Sequence, residues 1–241
     1  MLFNRHNQLH TRRAAIRLTA FTFAPALAAA TPFWNRKPAS EWTPDEVTQL
    51  LNRSPWSRET NFDFEAIEGG HLEMPAGSQP GIEGTSGKPS DPYKMSSDPQ
   101  AGAMRRATVV VRWESAQPIR DALHLPPLQG FEGRYVIGVS NIPAGVMNLH
   151  RRGENAPSPE DVIAELQGAA TLEATGHEPA QAGIVRRLPG TQTSYLFGFS
   201  KELLRLTGSE KEVLFILRTA RVSVKEKFEP KNMIYHGKSA L

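Results

Sequence analysis

One stretch constrains the fold more than any other: Val109-Val110-Val111-Arg112-Trp113-Glu114-Ser115-Ala116-Gln117-Pro118-Ile119-Arg120-Asp121-Ala122-Leu123. Its start is too continuously apolar for a strand wetted on one side, which predicts a strand covered on both faces. A helix follows. Ser115 stands where an N-cap belongs, Pro118 is tolerated in a first turn, and Ile119, Ala122 and Leu123 form an apolar side. Pro126-Pro127 ends it. A buried strand turning directly into a helix needs partners in two layers, so the rest of the chain is read around it.

Downstream the pattern is mostly of period two, the signature of strands. Tyr135, Ile137 and Val139 alternate with Val136, Gly138 and Ser140. Tyr195, Phe197 and Phe199 alternate within 194–200. Val222, Val224 and Phe228 alternate with Ser223, Lys225 and Lys227. Segments 170–174 and 182–188 are further strands, and 233–236 adds a short last one. The apolar run 212–219 predicts a central strand. Turns at Thr175-Gly176 and Pro189-Gly190 join neighbours closely, which favours antiparallel pairing. Between them, Ser158-Pro159-Glu160-Asp161 opens a helix carrying Val162, Ile163 and Leu166. Lys225, Lys227, Lys231 and Lys238 are read as guarding a sheet edge against aggregation; contact with phosphate or an anionic envelope surface is the other reading.

Upstream, Thr31 to Ser40 reads as a polar linker. Thr43, Pro44 and Glu46 form a capping-box start for a short amphipathic helix bearing Val47, Leu50 and Leu51. Trp42 and Trp56 flank it as clamps. Thr60, Phe62 and Phe64 alternate with polar residues as a half-buried strand. Residues 68–104 are rich in Gly, Pro and Ser and poor in branched apolar side chains, so they predict a long disordered insert.

The N-terminus reads as a cleavable signal peptide over residues 1–30. A basic segment ends at Arg17, an apolar run follows, and Ala28 and Ala30 precede Thr31 as a small-residue cleavage site. The run is too short for a membrane-spanning helix, which needs about 20 residues. Arg12-Arg13 also suggests the twin-arginine route. Removing Arg5, Arg12, Arg13 and Arg17 takes the net charge from +3 to −1, which argues against nucleic-acid binding. The predicted division is therefore a signal at 1–30, linker, helix and first strand at 31–67, the insert at 68–104, and a main domain at 105–241 with 41–67 packed on it. The fold class expected is α+β: a mainly antiparallel sheet with two or three short helices and a long disordered insert.

The segments Lys37-Pro38-Ala39-Ser40-Glu41-Trp42-Thr43, Ser54-Pro55-Trp56-Ser57-Arg58-Glu59 and Arg112-Trp113-Glu114-Ser115-Ala116-Gln117-Pro118-Ile119-Arg120 resemble a family of exported proteins of acidobacterial type. The resemblance spans most of the chain after the leader. It implies export and a shared fold. The family has no assigned activity, so no catalytic residue is carried over.

Chemistry is sparsely signalled. The chain has no cysteine, so disulfides, thiolate metal sites and a cysteine nucleophile are excluded. Among its seven histidines, none outside the leader forms a close zinc-binding pair with another, and no phosphate-cradling glycine motif is present. Neither a cofactor nor a metal is expected. The weak catalytic candidates are Glu114, Asp121, His124 and His150, near the strand-to-helix corner; Ser115 lacks the turn that exposes a hydrolase serine. The expected role is a non-catalytic binding or structural domain of the cell envelope, periplasmic or secreted. It would meet an envelope or protein partner through a sheet edge or the insert, without nucleic acid and without an integral membrane segment after the leader. The alternative is an exported hydrolase with its site in the 112–124 corner.

Overall fold

In the computed structural model the described residues are 31–65, 104–143, 146–148, 155, 157–190 and 193–241. The leader, the predicted insert up to 103, and His150 lie outside them. The chain divides into two units, Met1–Thr31 and Pro32–Leu241. The predicted division between 31–67 and 105–241 falls inside the second unit.

That unit is an α+β fold dominated by an antiparallel sheet. Its strands are β1 (Ser57–Glu65), β2 (Met104–Trp113), β3 (Arg134–Ile142), β4 (Ala170–Ala174), β5 (Ala180–Gln181), β6 (Ile184–Leu188), β7 (Thr193–Ser200), β8 (Val213–Arg218) and β9 (Val222–Phe228). Their spatial order is β5-β4-β8-β9-β1-β2-β3-β7-β6, with every neighbouring pair antiparallel. A small hairpin, β10 (Ile234–Tyr235) and β11 (Lys238–Ser239), follows. The helices are α1 (Phe33–Arg36), α2 (Pro44–Asn52), α3 (Gln117–Leu123) and α4 (Pro159–Ala169).

The two ends of this strand order, β5 and β6, are separated by only Ala182 and Gly183. The Ala182 N–H donates to the Ala170 carbonyl at 3.0 Å, and the Gly183 N–H donates to the Gly198 carbonyl at 2.9 Å. Adjacent residues thus lace β4 to β7, and the sheet closes on itself. Beyond the lacing point α4 packs beside β6, and Gln167 Nε2 donates to the Gly183 carbonyl at 3.2 Å. With β5 and β6 taken as one bent strand, the size is about eight strands, at which side chains just fill the interior.

The filling follows from the alternation. Val109, Val111 and Trp113 of β2, Tyr135, Ile137 and Val139 of β3, Tyr195, Phe197 and Phe199 of β7, and Val213, Phe215 and Leu217 of β8 are buried in one core. The Phe215 ring meets Phe197 at 5.4 Å and Phe199 at 6.2 Å, contacts that join strands not paired to each other. Trp113 stands edge-on to Phe228 at 5.4 Å. On the outer face a second cluster forms: Phe131 covers Val136 and Leu196, with the Arg186 guanidinium 4.9 Å from the Phe131 ring centre.

Local signals account for most of the helices. Thr43 and Glu46 make the expected capping box of α2, and Ser158 and Asp161 make that of α4. Three sequence expectations are corrected. Residues 31–40 are not a polar linker: Phe33 and Trp34 of α1 are buried, stacked edge-on into Trp42 and Trp56. Two adjacent aromatics have no period, so nothing flagged them. Ser115 does not cap α3; Ala116 holds that position. The Ser115 hydroxyl accepts from the Val136 N–H at 3.1 Å and its own N–H donates to the Val136 carbonyl, so the residue prolongs the β2–β3 ladder. Strand β8 is central, as its apolar run predicts, pairing with β4 on one side and β9 on the other; Leu214 and Ile216 are partly buried. Strand β9 lies between β8 and β1 and is not an outermost strand; Lys225 and Lys227 are exposed beyond its pairing with β1, on the strand's outward row.

Candidate functional site

The strand-to-helix corner is occupied by structure. Glu114 is 6% exposed. Its Oε1 accepts from Arg112 Nε at 2.8 Å and lies 2.7 Å from Nη2, an ion pair folded onto the outer face of Gly138. Arg112 also donates to the Leu51 carbonyl at 3.4 Å, which the Ser57 hydroxyl shares. The pair therefore ties the end of α2 to β2. Asp121 is equally engaged: it accepts from Gln117 Nε2 at 2.5 Å and from the Tyr235 hydroxyl at 2.9 Å. Burial, with the Asp121 carboxylate adding to it, pushes the Tyr235 phenol well above its usual range. His124 is exposed and closes α3 in the left-handed region, at φ 52°. No hydrogen bond or ion pair joins the side chains of Glu114, Asp121 and His124, and His150 lies outside the described residues.

A partly buried carboxylate stands elsewhere, on the inner face of the sheet. In β9 the inward row reads Val222, Val224, Glu226, Phe228, with Glu226 paired opposite the buried Phe215. A carboxylate therefore points to the apolar inner face. Beside it the β1–β9 ladder stops. Strand β1 pairs with β9 only from Phe62 to Phe64, against Val224 to Val222, although β1 continues back to Ser57 and β9 on to Phe228. The inward residues of β1 along this unpaired stretch are Arg58 and Thr60. Arg58, Thr60 and Glu226 are all partly accessible to solvent.

The electrostatics fit that position. Burial pushes the Glu226 carboxyl above its ordinary value, while the Thr60 hydroxyl, the Lys227 backbone and the Arg58 guanidinium pull it down, and burial prevails. The result is a carboxyl whose charged form burial disfavours, next to a hydroxyl and a guanidinium, where the β1–β9 ladder ends. Such a group can accept hydrogen bonds from a ligand when charged and donate one when neutral. Among the described residues no three His, Asp or Glu side chains are grouped to hold a metal ion.

Sequence reasoning passed over Glu226, although its signal was present. The alternation through 222–228 skips one inward position, and that position is 226. What no pattern conveys is that β1 leaves β9 beside it. Compared with known protein families, curated proteins and solved structures, the chain matches none.

Proposed function

We propose that the chain is an exported, non-catalytic binding domain of the cell envelope, and that it contacts its ligand or partner at the parting of β1 and β9. The observation that carries this reading is Glu226, held on the inner face with Arg58 and Thr60 where the wall is unlaced. Polar groups placed at an opening into an apolar interior suit recognition, because the few hydrogen bonds they offer fix orientation while apolar surface supplies affinity. The hydrolase alternative at 112–124 draws less support, since Glu114 and Asp121 are spent on holding α2, α3 and the β10–β11 hairpin in place. Export rests on the leader pattern, and an envelope location on export together with the acidobacterial-type resemblance. Among the described residues no helix is long and apolar enough to cross a membrane.

The test is native mass spectrometry of the protein purified from its own envelope fraction. A chain beginning at Thr31, carrying a bound mass that Glu226→Leu loses, supports the reading. A chain beginning at Met1 overturns the export argument. Turnover of ester or peptide substrates that vanishes in Glu226→Gln overturns the non-catalytic one.

A further inference from the structure

The end of the β1–β9 ladder can be followed group by group along the backbone. In an antiparallel pair, residues bonded to the partner alternate with residues whose N–H and C=O point the other way. Along β1 the alternation is set by the Trp113 N–H, which donates to the Trp56 carbonyl at 2.7 Å. Counted from there in the β1–β2 register, Arg58, Thr60, Phe62 and Phe64 bond to β2, and Ser57, Glu59, Asn61 and Asp63 turn their backbone groups towards β9. Along β9 the Thr219 N–H donates to the Val222 carbonyl at 2.9 Å, so Val222, Val224, Glu226 and Phe228 bond to β8 while Ser223, Lys225 and Lys227 turn towards β1. The two counts agree, because Asp63 stands opposite Ser223.

The last matched residues are Phe62 and Val224, a pair of the unbonded kind. Such a pair is flanked by its neighbours' bonds, so the Lys225 N–H closes the ladder on the Asn61 carbonyl. Beyond it the register would set Glu59 opposite Lys227, and no pairing exists. Ser57 is engaged elsewhere: its N–H and C=O bond to Ser54 at 3.2 and 3.0 Å. The Lys227 N–H serves the Glu226 carboxylate. The Asn61 N–H and both backbone groups of Glu59 are left, and among the described residues nothing takes them.

These three groups form a template. They point to one side of one strand, on alternate residues about 6.7 Å apart. Glu59 and Asn61 are exposed, so the edge can be reached. On its other side β1 is held by β2 through nine residue pairs, so the edge is fixed in extended form. An extended main chain offers acceptor and donor in the complementary order at the same spacing.

We propose that the free edge of β1 at Glu59 and Asn61 takes up an extended segment of a partner protein as an added strand. The inference rests on the ladder's end being the contact site, and names what is received there. Side chains of the segment that stand opposite Arg58 and Thr60 face inward beside Glu226, which favours polar, hydrogen-bonding residues at those positions.

Amide hydrogen exchange of the full chain by NMR tests it. In the free protein the Glu59 and Asn61 amides are expected to exchange fast between slow neighbours at Arg58, Thr60 and Phe62. The probe is a capped synthetic peptide of residues 222–228, whose register against β1 the fold already uses. At millimolar concentration it is expected to slow both amides by about tenfold or more. Asn61→Pro removes an N–H that the fold leaves unused, so it is expected to keep the fold and abolish the slowing at Glu59. If that variant does not fold, exchange in the unmodified chain decides. Amides already as slow as Thr60 in the free protein, no slowing with peptide, or equal slowing in Asn61→Pro overturn the proposal. Slowing that follows chain concentration alone assigns the edge to a second copy and overturns a separate partner. A bound mass lost in Glu226→Leu, with Glu59 and Asn61 still fast in the protein that carries it, overturns strand addition while the contact site stands.

Discussion

The Glu114 carboxylate occupies the space that a side chain at residue 138 would need. A Cβ on Gly138 would come within 2.6 Å of Glu114 Oε1 and 2.8 Å of Cγ. The glycine is thus the seat of the buried ion pair. Gly138→Ala is expected to destabilise the fold by about 1–3 kcal/mol, since either the pair or the β2–β3 strands must shift. Urea unfolding followed by tryptophan fluorescence measures this. A midpoint equal to that of the unmodified chain would show that the carboxylate moves aside freely.

Breaking the pair from one side is predicted to cost more than removing it. Glu114→Gln leaves the Arg112 guanidinium, 16% exposed at its side chain, without its carboxylate, for an expected loss of about 3 kcal/mol. The double variant Arg112→Met, Glu114→Leu is expected to lose less than the single one. A double-mutant cycle by chemical denaturation separates the two cases.

Glu226 predicts a pH dependence of definite sign. Its folded-state carboxyl titrates above the unfolded one. The folded protein therefore binds the proton more tightly, the contribution is fully present below the unfolded pKa, and it is lost as pH rises through the folded value. Glu226→Gln, which keeps the shape without the charge, is expected to melt higher than the unmodified chain at pH 7. The difference should shrink towards pH 4. Thermal melts across that range check it, and a constant difference would contradict the assignment.

The Tyr235 hydroxyl clamps the β10–β11 hairpin to α3 through Asp121. Tyr235→Phe is expected to destabilise by about 1–2 kcal/mol, in the range for a hydrogen bond to a charged acceptor. Because Trp42 packs edge-on to Tyr235 at 6.2 Å, proteolysis near the C-terminus should quicken in the same variant. An unchanged digestion pattern would show that ring packing alone holds the hairpin.

What could be read from the sequence was local. The capping boxes at Thr43–Glu46 and Ser158–Asp161 involve residues three apart, so composition and spacing suffice. The inward rows of β3 and β7 follow from period two alone. Ser115 was misread because a hydroxyl before a helix serves equally as a cap or as a ladder acceptor, and only the position of Val136 decides. Arg112 beside Glu114 was legible as an ion pair; that it rests on Gly138 depends on the β2–β3 register. Where β1 stops pairing with β9 depends on the register of two strands far apart in the chain, which leaves no trace in any short window.

The lacing at Ala182 and Gly183 makes the sheet a hoop with a single clasp. A linear sheet frays from its outermost strands and can recruit a foreign strand there. In a hoop those outermost strands are one segment, each half already holding the opposite flank. Opening the clasp frees β4 and β7 at the same moment, so two consecutive amides report on flanks that lie at opposite ends of the pairing order. Association by strand exchange at β5 or β6 therefore requires the clasp to open first.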